Sequence, residues 1–119
     1  MQNNDVLRRL RYILDFNDQS MIDVFDSAEC VVNREQLSNW LKKDDDPEYR
    51  GLKDVELSTF LNGLINIKRG KREGEQPRPE DVLTNNITFK KVLIAFNLKT
   101  DDALDILTLA DLRVSKHEL

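Results

Sequence analysis

Apolar residues recur along this chain at the spacing of helices. Leu7, Leu10 and Leu14 share one stripe at 3.6 residues per turn, and so do Phe89, Val92, Leu93 and Phe96. Asn4 and Asn86 stand where helix caps are expected. A second stripe runs through Met21, Val24, Phe25 and Ala28, and again through Ala103, Ile106, Leu107 and Ala110. Its expected caps are Asp18 or Ser20 and Thr100 or Asp101. "NREQLSNWLKK" announces a third helix through a capping box of Asn33 and Gln36, with Leu37, Trp40 and Leu41 on its buried side. After a break at Pro47, "DVELSTFLNGLINI" predicts a fourth, burying Leu57, Phe60, Leu61, Leu64 and Ile65.

The pattern repeats. An offset of 82 pairs residues 3–37 with 85–119 without a gap, and six of the 35 positions are identical: Asn3, Asn4, Asp23, Ala28, Val32 and Leu37. Apolar sites return as apolar sites, and Arg8-Arg9 returns as Lys90-Lys91. The fold class expected is all-α, built from two tandem related helical units. The first spans 1–67 with about four helices, and 68–81 is a charged exposed linker of "KRGKREGEQPRPED". The second unit, 82–119, is incomplete, because counterparts of Trp40, Leu41 and the fourth helix would fall beyond Leu119.

Composition narrows the function. With 39% hydrophobic and 34% charged residues in 119, four Gly and three Pro, a helical chain with a real core is favoured over a turn-rich β sandwich. A net charge of -4 opposes a phosphate backbone unless cations gather on one face. The single cysteine, Cys30, has no internal disulfide partner, and no secretory or membrane-spanning run is present, so a soluble cytoplasmic protein is expected.

Four stretches, "NNDVLRRLRYILDFND", "SNWLKKDDDPEY", "NGLINIKRGKREGE" and "NNITFKKVLIAFNLKTDD", resemble the YehS-like family of small, uncharacterised bacterial proteins over essentially the full length. The resemblance implies a duplicated, cytoplasmic, bacterial protein and brings no established activity or site residues. Members of that family usually carry a more complete second copy.

Catalytic chemistry finds little to work with. Cys30 and His117 are the only cysteine and histidine, and a histidine third from the end is poorly held for general-base work. "DFNDQSMIDVFD" imitates a calcium loop, but its sixth position is Ser20 where a glycine is needed, and Lys99 replaces Asn17 in the second copy. Asp44, Asp45 and Asp46 before Pro47 are read as a helix stop and a new start. No phosphate loop, zinc or hydrolase motif occurs, so no enzyme, cofactor or metal is expected.

The sequence therefore points to a non-catalytic interaction module, with a protein partner or homo-oligomer. Leu112, Val114 and Leu119, which lack cover in a short second unit, are the candidate partner-binding residues. The alternative is a helix-turn-helix nucleic-acid binder. Arg34, Gln36, Asn39, Lys42 and Lys43 furnish its reading helix, and Lys68, Arg69, Lys71 and Arg72 grip phosphates from the linker.

Overall fold

A computed structural model describes residues 2–70 and 78–96. Among these the chain forms five helices and no strand: α1 (Asn3–Leu14), α2 (Asp18–Ser27), α3 (Arg34–Leu41), α4 (Asp54–Arg69) and α5 (Asn85–Phe96). The all-α expectation holds.

α4 lies at the centre, with α2 against one side and α5 against another, while α3 packs on α1 and α2. The stripes read from spacing are the buried faces: Leu7 and Leu10 of α1, Met21, Val24 and Phe25 of α2, Leu37 and Trp40 of α3, and Leu57, Phe60, Leu61 and Leu64 of α4. Phe25 is the hinge of the aromatic core. Its ring centroid lies 5.5 Å from Trp40 and 5.2 Å from Phe60, the latter edge-on. Burying each such side chain stabilises the fold by about 2–3 kcal/mol before entropy is charged.

α2 and α4 meet backbone to backbone at Gly63. A β-carbon there would stand 1.9 Å from the carbonyl oxygen of Val24, so only glycine permits this approach.

Several ends differ from expectation. Asn33 and Gln36 do form the capping box, with Gln36 N–H donating to Asn33 Oδ1 at 2.8 Å and Asn33 N–H to Gln36 Oε1 at 3.1 Å. The cap of α2 is Asn17, whose Oδ1 accepts from Ser20 N–H at 2.8 Å, rather than Asp18 or Ser20. Asp18 instead pairs with Arg11 at 2.8 Å, tying the two helices at their corner. Asn4 and Asn86 are not caps but second residues of their helices. The cap position of α1 is Gln2, whose N–H donates to Asp5, and Thr84 Oγ1 accepts from Ile87 N–H at the start of α5.

Asn4 is buried because it does something a cap does not. Its Nδ2 donates to the carbonyls of Trp40 (2.9 Å) and Arg50 (2.7 Å), and its Oδ1 accepts from Leu52 N–H (2.8 Å). One carboxamide thus satisfies three main-chain groups, one in the last turn of α3 and two in the segment that follows it. Asn86 Oδ1 is also buried and has no hydrogen-bond partner among the described residues. Asp46 accepts from Glu48 N–H at 2.9 Å in a turn, and the next helix waits until Asp54, so Asp44–Asp46 close α3 without starting a helix.

The segment before α5 is fastened to α4. Asp54 accepts from both Asn3 Nδ2 and, at 2.9 Å, Leu83 N–H. Glu80 accepts from Ser58 Oγ, receives Lys91 Nζ at 3.1 Å, and donates its own N–H to Ser58 Oγ at 3.0 Å. Lys91 Nζ also donates to Asn62 Oδ1. α4 runs to Arg69, placing Lys68 and Arg69 on its last turn rather than in a linker, and it ends at Gly70 with φ +95°.

Candidate interaction face

The outer side of α1 carries the most distinctive surface among the described residues. Tyr12 is 83% exposed and stands between two clefts. One, about 670 Å³, lies over Asp5, Arg8, Arg9 and Tyr12 and is walled by Leu41, Lys43, Asp44 and Asp45. The other, about 740 Å³, is lined by Arg8, Arg9, Arg11, Tyr12, Ile13, Asp15 and Phe16.

The numbering explains the shape. Residues 5, 8, 9 and 12 stand at i, i+3, i+4 and i+7 of α1, the diamond of side chains that receives a knob from a facing helix. Phe16 lies past the helix end, beyond the left-handed Asp15. α1 thus presents one such hole, and the second cleft, which shares Arg8, Arg9 and Tyr12 with it, is closed by the turn through Asp15 and Phe16.

Charge on this face is divided by what is already engaged. Arg8 is held by Asp5 and donates to Lys42 O at 2.7 Å. Arg11 is held by Asp18 and donates to Phe16 O at 3.2 Å. Arg9, Lys43, Asp44 and Asp45 form no ion pair with a described residue, and all four are exposed. The face offers two uncommitted cations, two uncommitted anions and an aromatic ring.

The residues expected to read nucleic acid are differently placed. Gln36 is spent in the α3 capping box. Asn39 is half-buried and accepts from Lys42 Nζ at 2.9 Å, and Lys42 also pairs with Glu48 at 3.1 Å. Arg34 is exposed, and Lys43 lies on the α1 face instead. Lys68 sits 5.7 Å from the ring centre of Phe96, and Arg69 is exposed on the last turn of α4. Lys71, Arg72, Leu112, Val114 and Leu119 lie outside the described residues, as do His117 and the second stripe of the rear unit.

Tyr12 is the residue that spacing alone passed over. Its signal was present, since an aromatic side chain off the Leu7, Leu10 and Leu14 stripe has to point away from the core.

Two nucleophile-bearing residues, Cys30 and Ser58, lie partly or fully inside the fold. Burial pushes the Cys30 thiol upward, and the charge of Glu56 adds to that shift. Ser58 is fully buried, with its hydroxyl engaged by Glu80. No group of three or more metal-ligating side chains occurs among the described residues. No helix among them is long and apolar enough to cross a membrane.

Comparison with known proteins gives a family and a relative. The profile of the family described as "Protein of unknown function (DUF1456)" matches residues 3–70. The chain is 44% identical over 120 residues to "Uncharacterized protein YehS" of Escherichia coli (strain K12), an alignment covering 100% of this chain and 77% of the relative. No solved structure matches it.

Proposed function

We propose that this chain, which belongs to the DUF1456 family of proteins of unknown function, is a non-catalytic helical module that docks another polypeptide on the outer side of α1. The observation that carries this reading is Tyr12, 83% exposed between two clefts that share Arg9. Tyrosine and arginine are the side chains that most often anchor protein interfaces, because both bring large contact area with a directed polar end.

Duplication is part of the same reading. Supporting it, α1 and α5 are both twelve residues long and start 82 residues apart. Leu7 and Phe89, and Leu10 and Val92, are fully buried in pairs. The family profile ends at residue 70, where α4 ends. A cytoplasmic setting suits a chain with one cysteine and no partner for it.

Nucleic-acid reading by α3 draws support from the exposed Arg34, but Gln36, Asn39 and Lys42 would first have to abandon their present contacts. A photo-crosslinking residue placed at position 12, and at the equally exposed Val31 as control, tests the choice in living cells. Protein adducts from position 12 that disappear with Arg9→Glu, and none from position 31, are the expected result. Adducts to nucleic acid, or equal yields from both positions, would overturn the proposal.

A further inference from the structure

The 82-residue offset sets α1 and α5 side by side, position for position, and one difference stands out. Arg9 corresponds to Lys91, and Ile13 to Ala95. On α5 these positions are packed away: the Lys91 side chain is only 12% exposed, with its ammonium on Glu80 and Asn62, and Ala95 is buried. On α1 Arg9 is exposed without an ion pair among the described residues, and Ile13 is only partly buried. The side that α5 uses against its neighbours is vacant on α1.

What fills it has to offer side chains for the two clefts and a carboxylate for Arg9, as Glu80 does for Lys91. The face itself carries that carboxylate. Asp44 and Asp45 wall the same cleft as Arg9 and Lys43, and all four are uncommitted among the described residues. A patch that holds both signs of free charge beside one exposed aromatic is self-complementary, which is the requirement of a two-fold interface.

We infer that the occupant is a second copy of this chain. The two α1 helices pack across a two-fold axis, Arg9 of each copy meets Asp44 and Asp45 of the other, and the Tyr12 rings seat in the facing clefts. This rests on the docking role proposed for α1 and adds the identity of the partner.

The test is light scattering coupled to size exclusion on the full chain, over about a hundredfold range of concentration. Wild type shifts from monomer to dimer. Arg9→Glu alone and the pair Asp44→Lys with Asp45→Lys each weaken dimerisation at least about tenfold. Mixing those two variants restores a dimer, because each reversed charge then meets its opposite in the other chain. Circular dichroism and melting temperature unchanged in both variants show that the fold is intact. A wild type that stays monomeric throughout, variants that dimerise as before, or a mixture that remains monomeric would each overturn the inference. The crosslinking result at position 12 stands apart from these outcomes, so a monomer with specific adducts to other proteins would refute the second copy while sparing the docking role.

Discussion

Gly63 of α4 has the carbonyl oxygen of Val24 of α2 where a β-carbon would sit, 1.9 Å away. The obstacle is backbone, which cannot rotate aside as a side chain can. Gly63→Ala is therefore expected to force the two helices apart around Phe25 and Phe60, costing roughly 1–3 kcal/mol or more despite alanine's better helix propensity. Urea denaturation should show a lowered midpoint with an unchanged slope.

Asn4 and Asn86 should respond differently to the same change. Asn4→Ala leaves Leu52 N–H and the carbonyls of Trp40 and Arg50 without their partner, and is expected to cost at least about 2 kcal/mol. Asn86→Ala removes a buried oxygen that has no donor among the described residues, so its cost should be smaller. Thermal melts of the two variants side by side test the ordering.

Acid should loosen the attachment of α5. The Asp54 carboxyl is held below its ordinary value by hydrogen bonds from Asn3 and from Leu83 N–H, against a smaller opposing effect of burial. For Glu80, burial is the largest single influence and pushes upward, but the bonds from Ser58 and its own N–H, with the bond and charge of Lys91, together bring it below the usual range. Both groups are depressed in the folded state. Their contribution is fully present above the unfolded carboxylate value of about 4 and is lost as pH falls through the lowered folded values. Melting temperature should drop on acidification from neutral pH to about 3, and Asp54→Asn with Glu80→Gln should flatten that dependence.

Lys91 and Arg9 offer a matched pair of truncations. Lys91→Ala strands Glu80 and Asn62 in a largely buried contact and should destabilise by roughly 1–2 kcal/mol. Arg9→Ala, which breaks no described ion pair, should stay within about 0.5 kcal/mol. Equal losses in chemical denaturation would mean that Arg9 is already engaged in the folded monomer.

Helical spacing alone located all five described helices and most of their buried residues, because period 3.6 leaves no freedom about which of Leu7, Leu10 or Phe60 turns inward. Polar roles were less legible. An asparagine at the start of a helix reads as a cap, whereas the use of Asn4 depends on Trp40, Arg50 and Leu52, which come near it only once the chain has folded. The α3 polar residues looked free for the same reason: Lys42 meets Glu48 across a turn whose geometry no local pattern prescribes. The α1 face was half visible, its arginines plain in the sequence and the cleft beside Asp5 formed only when Lys43, Asp44 and Asp45 fold back beside them.

The central claim is that two copies of this chain meet through the outward side of α1. Amide hydrogen exchange on the intact chain, read in dilute and in concentrated solution, tests it most directly. Added protection at high concentration confined to residues 5–16 and 41–45 is the predicted result. Protection centred on α3, or none at any concentration, would contradict it.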